Sequence, residues 1–540
     1  MLLCACPPET ADAPADNTAA RAPGASARAM IAAPAPQDHR LSVFPKSPMP
    51  QHLVVLDGYA LSQPERYLMT SLQGVLAKSE PRLYFDPSPT PRHDLNHEEE
   101  GRWLEVLETK YGVTWETADD SWAVLDQYID EVDGYIVYDP ELPQTVNVAT
   151  PLAGIHHALI AHPDLIPALT ARGLNAVDDL RERFEDDTEL YTWAFENVWP
   201  QCHPGLLAFL DHTLPPLRDY LVAHNVFTVQ LDFGHHNEGP LLDRILAETP
   251  ANIPILGWPL EEYLGMITFS SFNKFHVCNS GVPNLTVHSG LPAPELTQDH
   301  ITEWPVVENK IHVAFAFTDG DSMGYLHQWM AGRWDDPARG EVPIGWEMSI
   351  APVDLSPDVI SYFYANKTDN DVIIGPASGL GYIYPNHYDD LDAFLDLTAP
   401  YMAATDMRTI WLINDDLTLP DDIVVAYAQA LDLNGIFIDY WPNSDKKWRL
   451  ASDGTPVLRS RYAYFFGMGQ VEKILADALV EKEYLYPDVP TFVFIGLNGW
   501  EAMPGDIKDA VDDLDDRYVV LRPDAMFAAM RTAAAQGLLP

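Results

Sequence analysis

The chain has 540 residues, of which 47% are hydrophobic, so it can form several cores if domains average roughly 150 residues. Its 80 acidic residues outweigh its 32 basic ones and give a formal net charge of -48. This charge opposes phosphate backbones and anionic lipid surfaces, which argues against a nucleic-acid partner, and it is compatible with a salty habitat.

Residues 1–44 predict a leader stub followed by a disordered tether, because this Ala/Pro-rich tract has too little bulk to form a core. The stub Leu3-Cys4-Ala5-Cys6 resembles the end of a bacterial lipoprotein signal, without the charged start and most of the apolar segment. Two interpretations stay open. A start codon placed too late implies an exported protein, periplasmic, secreted or anchored to the cell surface through a lipid on Cys6; otherwise the leader has no function.

The rest of the chain predicts neither a disulfide framework nor a membrane span. No later apolar run approaches the roughly 20 residues that cross a bilayer. Only four cysteines occur, so Cys202 and Cys278 either pair with each other or stay as buried thiols.

From residue 45 onward, strand and helix patterns alternate. The strand-like runs HLVVLDGYA, PRLYFD and DGYIVYD are separated by amphipathic helical runs and predict an N-terminal α/β domain over 45–205. The runs VFTVQLDF and IPILGW predict a second small α/β domain over 206–304. Alternation of this kind is typical of parallel sheets with helices packed on them.

The segment 305–540 is more regular and predicts a (β/α) TIM-like barrel, because short apolar strands covered on both faces alternate with amphipathic helices. The candidate strands are 311–317, 344–350, 371–377, 409–414, 435–440, 462–466, 491–497 and 518–521.

Carboxylates recur directly after these strands, where the active sites of such barrels lie. Glycoside hydrolysis needs one carboxyl as acid and a second as nucleophile or base. A single aspartate after a strand can equally cap a helix or form a turn, so the hypothesis depends on the group as a whole. The catalytic candidates are Asp319, Asp321, Glu347, Asp415, Asp439 and Glu501.

Aromatic and amide side chains accompany the carboxylates, and sugars offer apolar faces to rings and hydroxyls to polar tips. In GLGYIYP the glycines permit a tight turn and the proline stiffens its exit. The alternative is a packed tyrosine loop with no ligand. The candidate substrate-binding residues are Trp346, Gly379, Gly381, Tyr382, Tyr384, Pro385, His387, Asn414, Tyr440, Asn498 and Trp500.

The segment GLGYIYP (379–385) is a full match to the signature of the GxGYxYP family of putative glycoside hydrolases. TDGDS (318–322) is similar to the family's TDGDN and departs from it at Ser322, and RGEVPIGWEMSIAP resembles the strand that follows. The segments LQGVLAKSEPRLYFD, DGYIVYD and VNVATPLAG resemble its N-terminal region, so the resemblance covers roughly 45–540. It implies a barrel-like C-terminal domain behind smaller α/β domains, an exported bacterial protein and a carbohydrate substrate. The five motif positions transfer without catalytic roles.

The predicted catalytic pair is Asp319 with Glu501, since barrel closure brings the first and a late strand together. Glu501 is the expected acid because Trp500, or Trp346, can desolvate a neighbouring carboxyl and raise its pKa. A separation of about 5 to 5.5 Å predicts retention of configuration, and about 6.5 to 9.5 Å predicts inversion. No cofactor is expected.

Two rival functions stay open. A metal-dependent polysaccharide deacetylase also places paired aspartates after a first strand, as Asp319 and Asp321 do, but it needs histidine ligands, and His327 and His387 are isolated. The run LDFGHHNEG offers a second metal hypothesis through Asp232, His235, His236 and Glu238, although such a polar turn is more often solvated. The other rival is a non-catalytic glycan-binding surface protein.

Overall fold

The computed structural model describes residues 43–58, 60–86, 99–301, 305–415, 419–438, 447–461 and 469–539. Several predictions lie outside these ranges. They concern the leader and tether up to residue 42, the strand 462–466 and the candidates Asp439 and Tyr440. Within them, every helix is too short or too polar to cross a membrane.

The N-terminal part contains two three-stranded parallel sheets, ordered β2-β1-β3 and β5-β4-β6. Their strands are β1 His52–Asp57, β2 Leu83–Asp86, β3 Thr114–Ala118, β4 Gly134–Val137, β5 Ala158–Ala161 and β6 Ala176–Asp179. The helices are α1 Gln63–Ala77, α2 Glu99–Tyr111, α3 Ser121–Gln127, α4 Thr145–His156, α5 Ile166–Ala171 and α6 Asp187–Asn197. Helix α1 is buried from Tyr67 to Ala77 because it packs between the two sheets.

A four-stranded parallel sheet follows, ordered β10-β9-β7-β8. Its strands are β7 Leu207–Phe209, β8 Phe227–Val229, β9 Pro254–Gly257 and β10 Phe275–Cys278. Its helices are α7 Arg218–Ala223, α8 Glu238–Glu248, α9 Glu262–Ser271 and α10 Leu285–His288. Cys202 and Cys278 are both thiols, so the predicted alternative of a disulfide between them is wrong.

The C-terminal part alternates strands and helices as predicted. Its strands are β11 Ile311–Thr318, β12 Ile344–Glu347, β13 Asp371–Ile374, β14 Thr409–Leu412, β15 Gly435–Ile438, β16 Trp448–Leu450, β17 Pro456–Arg459, β18 Thr491–Asn498 and β19 Tyr518–Val520. Its helices are α11 Met323–Gln328, α12 Met330–Trp334, α13 Pro352–Leu355, α14 Pro357–Ala365, α15 Leu391–Ala404, α16 Asp421–Leu431, α17 Gly469–Tyr484, α18 Pro504–Asp512 and α19 Pro523–Ala535.

These strands form two sheets, ordered β13-β12-β11-β18 and β14-β15-β17-β16, and β19 pairs with the first half of β11. Single parallel bridges join the sheets on both sides: Gly375 pairs with Ile410, and Ser460 pairs with Phe494. The predicted mixed α/β fold with parallel strands is therefore confirmed. A complete eight-stranded barrel stays a prediction, since each joint is one bridge rather than a ladder.

Alternate strand residues separate two cores, as the period of two in a strand requires. One face, with Ala314, Ala316 and Phe494, packs on α19, whereas the neighbouring residues face the surrounding helices. Helix α19 lies at the amino-terminal end of the strands, where Phe527 contacts Gly435, the first residue of β15. The carboxyl-terminal ends are thus left for a site.

Candidate functional site

Polar side chains follow four of the parallel C-terminal strands at the same end of the sheets. Thr318 ends β11, Glu347 ends β12 and Asn498 ends β18, while Asn414 and Asp415 follow β14. The candidates after β11 and β12 influence one another electrostatically, because the charges of Asp319 and Asp321 both act on Glu347. We call Asp319, Asp321 and Glu347 the carboxyl cluster.

The turn after β11 presses the two aspartates against β12. Asp319 has a φ of 69°, in the left-handed region that Asp tolerates better than most residues. A Cβ on Gly320 would lie 1.6 Å from the Glu347 carbonyl oxygen, so only glycine fits there. The Ser322 hydroxyl accepts from the backbone N–H of Tyr325 and caps α11. Asparagine is an equally good cap, so a serine at this position is compatible with the same turn.

Glu347 is the most buried member of the cluster, with 1% of its surface exposed. One carboxyl oxygen accepts from the Thr318 hydroxyl at 2.6 Å and the other from the Ala377 backbone N–H at 2.8 Å. Burial, followed by the negative charge of Asp321, raises its pKa well above the ordinary value. Through these two hydrogen bonds Glu347 ties the end of β11 to the motif loop.

Asp321 has the second perturbed carboxyl of the cluster, and the residue as a whole is partly exposed. Burial and then the negative charges of Asp319 and Glu262 raise its pKa to about 7. Glu262 belongs to α9 of the preceding sheet and accepts a hydrogen bond from the Tyr382 hydroxyl at 3.3 Å. The site therefore combines residues from two regions that lie far apart in the sequence.

Asp415 has the opposite environment. His387 Nε2 lies 2.5 Å from Asp415 Oδ2, and the Asn386 side chain donates to the other oxygen. Burial alone would raise the pKa of Asp415, but these hydrogen bonds outweigh it and lower the pKa. The same contact with Asp415 raises the pKa of His387. Asp415 is consequently an ionised acceptor for His387 and not a proton donor.

The GLGYIYP loop joins the C-terminal strands to the preceding sheet. The Tyr382 N–H donates to the His276 carbonyl at 2.7 Å and the His276 N–H donates back at 3.0 Å, so the loop pairs with β10. A Cβ on Gly381 would lie 2.5 Å from that His276 carbonyl, and Gly379 has a φ of 125°. The close contact and the positive φ explain why glycine occupies both motif positions.

The rings of Tyr382 and Tyr384 are buried, and Pro385 opens the short turn that carries His387. The loop thus resembles the packed tyrosine loop expected as the alternative, with its two tyrosine hydroxyls 3.3 Å apart near Glu262. A role for these tyrosines in binding substrate stays a prediction. Because the rings are buried, only their hydroxyl groups are candidates for such contacts.

Trp346 lies apart from the cluster although it precedes Glu347. Its side chain points to the other face of β12, where it is fully buried and stacks on Phe317 with ring centroids 4.7 Å apart. Its indole N–H donates to Asp371 at 2.8 Å. Alternation along the strand puts adjacent residues on opposite faces, so Trp346 supports the outer helices rather than a ligand.

Glu501 is exposed, so the predicted desolvation by Trp500 does not occur. The Trp500 ring instead packs against Tyr325 and Trp329, with centroids 5.1 Å away in both cases. The side chains of the two amide candidates accept hydrogen bonds from backbone groups. Asn498 accepts from the Trp500 N–H, and Asn414 accepts from the Asn386 N–H.

Sequence reasoning missed three residues near the cluster. Tyr325 is buried and close enough to Asp319 and Glu347 for both charges to raise its pKa, although burial is the larger cause. In the part of the chain that the structure describes, its hydroxyl has no hydrogen-bond partner. Glu262 and Tyr263 approach from α9. Only Tyr325 had a local signal, because it lies in the first turn of the helix after TDGDS.

The metal hypotheses gain no support from the described ranges, where no group of three or more His, Cys, Asp or Glu side chains could hold a metal ion. Glu238 instead accepts from the Asp232 N–H and pairs with His235 at 3.1 Å. His327 is fully buried and bonded to Ser356 at 2.8 Å.

Family models match nearly the whole chain. Residues 52–130 match the GxGYxYP_N 1st domain, 132–203 the second domain, 207–290 the third domain and 309–531 the "GxGYxYP putative glycoside hydrolase C-terminal domain". Two of these segments fall within the predicted domain 45–205; the predicted boundaries themselves stay untested.

The fold is also similar to a crystal structure of a "putative hydrolase" from Bacteroides thetaiotaomicron. The TM-score is 0.80 at 20% sequence identity, over 92% of this chain and 98% of that chain. At this identity the similarity shows a shared fold. The comparison with curated proteins found no match.

Proposed function

This chain belongs to the GxGYxYP family, and on that premise we propose that it is a glycoside hydrolase acting on a poly- or oligosaccharide. The observation that carries the proposal is the carboxyl cluster, in which burial and mutual repulsion raise the pKa of Asp321 to about 7 and the pKa of Glu347 well above its ordinary value. A glycosidase needs such a protonated carboxyl beside a second carboxyl.

Asp321 is the proposed general acid. Its pKa of about 7 matches the working range of a group that must donate a proton near neutrality, and its partial exposure lets a glycosidic oxygen reach it. Asp319, two residues away in the same turn, is the proposed nucleophile or base. Its negative charge is one reason why Asp321 keeps its proton.

This assignment replaces the pair of Asp319 with Glu501. Glu501 is exposed and its neighbouring tryptophan ring points away, whereas the pKa of Asp321 is raised by burial and two neighbouring charges.

Glu347 is a positioning residue. With 1% of its surface exposed it cannot touch a substrate, but its bonds to Thr318 and Ala377 fix the turn that carries both aspartates. The raised pKa of Glu347 also disfavours a third negative charge in the same space.

The proposal is tested by screening the purified protein for sugar release from a polysaccharide panel and then measuring Asp321→Asn and Asp319→Asn on the cleaved glycan. Each variant is expected to lose roughly 10²- to 10⁴-fold in kcat with unchanged folding by circular dichroism. Glu501→Gln is the matched control and should keep parental turnover. Turnover that survives in both aspartate variants would sink the proposal and favour a non-catalytic glycan-binding protein.

A further inference from the structure

Three large apolar side chains are exposed together at the start of α9. Leu260 has 53% of its surface exposed, Tyr263 has 49% and Leu264 has 44%. Isolated exposed apolar residues need no explanation, but a group of them rimmed by polar residues is typical of a binding surface. We call these three residues the α9 platform.

The α9 platform borders the candidate site. The ring of Tyr263 lies 6.1 Å from the ring of Tyr384, between centroids. Partial burial, followed by the negative charges of Asp415 and Glu261, raises the pKa of Tyr263. Glu262, the neighbouring residue, acts electrostatically on Asp321 and accepts from Tyr382. The platform therefore continues the site onto the preceding sheet.

Local contacts hold the first turn of α9, which carries the α9 platform, in one conformation. The Glu261 side chain accepts from the backbone N–H groups of Tyr263 at 3.2 Å and Leu264 at 2.6 Å, which fixes the first turn. Gly265 packs so closely on Pro259 that a Cβ would lie 2.9 Å from its ring. Such preorganisation lowers the entropic cost of binding.

We infer that Tyr263, flanked by Leu260 and Leu264, stacks on a sugar unit of a neutral glycan whose neighbouring units occupy the carboxyl cluster. The inference rests on the proposed function and adds a substrate class to it. An aromatic ring fits the apolar C–H face of a sugar, and its hydroxyl can bond to a sugar hydroxyl. Asp415 and Glu262 lie at the same edge, so acidic polysaccharides are disfavoured by charge repulsion.

The test uses Asp321→Asn as a non-cleaving background and measures binding by titration calorimetry. The probes are neutral gluco-, xylo- and manno-oligosaccharides from disaccharide to hexasaccharide, with oligogalacturonides as the acidic comparator. Affinity for at least one neutral series is expected to rise with chain length, and Tyr263→Ala should weaken the longest probe about tenfold, which corresponds to about 1.4 kcal/mol. Tyr263→Phe should keep the parental affinity within about threefold because the ring remains.

Tyr484→Ala is the matched control, because Tyr484 is 78% exposed on α17, and it should not change binding. Unchanged binding in Tyr263→Ala overturns the inference, and so does binding of the acidic comparator alone or of no probe. Cleavage by the parental protein then shows separately whether the proposed function survives. Conversely, Tyr263-dependent binding without any cleavage supports the platform and contradicts the hydrolase.

Discussion

The carboxyl groups after β11 and the carboxyl group after β14 follow parallel strands in the same way, but their surroundings shift their pKa values in opposite directions. Asp321 has carboxylates as neighbours, and its pKa rises to about 7. Asp415 has His387 and Asn386 as donors, and its pKa falls. Two aspartates in equivalent strand positions thus have different chemistry, because partners rather than position decide which carboxyl keeps a proton.

The largest expected effect separates the two aspartates by activity. Asp321→Asn should lower kcat on the cleaved glycan by at least about a hundredfold, since it removes the proposed acid. Asp415→Asn should lower kcat by less than about tenfold, since it removes only a partner of His387. Equal losses of kcat in the two variants would contradict the assignment of different roles to Asp321 and Asp415.

The second effect concerns Gly320, in the turn after β11, and Gly381, in the GLGYIYP loop. Gly320→Ala should cost more stability and activity than Gly381→Ala, since its Cβ would lie 1.6 Å from a carbonyl oxygen rather than 2.5 Å. Both should lower the free energy of unfolding by roughly 1–3 kcal/mol or more in urea titrations. Gly101→Ala is the control, because a Cβ on this residue of α2 meets nothing within 4 Å. Parental stability in Gly320→Ala would contradict the packing of the turn.

The third effect is on pH-dependent stability and has opposite signs at the two sites. The raised pKa of Asp321 means that the folded state binds its proton more tightly than the unfolded state, so stability falls as pH rises from about 4 to about 7. The lowered pKa of Asp415 instead adds stability that is lost as pH falls below about 4.

Thermal unfolding at about pH 3 and about pH 8 measures this difference. Relative to the parent, Asp321→Asn should gain stability at the higher pH, and Asp415→Asn should lose it. A gain in both variants would contradict the assigned surroundings of Asp415.

The smallest effect is on His387. Its contact with Asp415 raises its pKa, so NMR should show the imidazole titrating above the ordinary value of 6.5. Asp415→Asn should return that titration toward 6.5, while Asp321→Asn should leave it nearly unchanged. The same midpoint in all three proteins would show that the pair does not form in solution.

Much of this arrangement could be predicted from the sequence where the signal is local. The apolar runs located β11, β12, β14 and β18, and reading the residue after each run found Asp319, Asp321 and Asp415. The predicted strand 371–377 is shorter in the structure, because β13 ends at Ile374 before the motif loop. The hairpin of β16 and β17 was missed because β16 has only three residues, all partly exposed, and β17 begins with a proline.

What could not be predicted depends on tertiary contacts. Glu262 and Tyr263 lie more than fifty positions before TDGDS, and nothing near them in the sequence indicates that Glu262 acts on Asp321 in the turn after β11. The sequence also could not predict that Glu347 is buried and Glu501 exposed. An adjacent tryptophan desolvates a carboxyl only if its ring points toward that carboxyl. Trp346 and Trp500 both point away.

The central claim is that Asp321 keeps its proton near neutral pH and donates it. The most direct test is the pH dependence of kcat/KM on the cleaved glycan for the parent, Asp321→Asn and Asp415→Asn. The account predicts that parental activity falls as pH rises through about 7, that Asp415→Asn keeps this limb and that Asp321→Asn has almost no activity from which to measure it. Parental rates and the same alkaline limb in Asp321→Asn would contradict the claim.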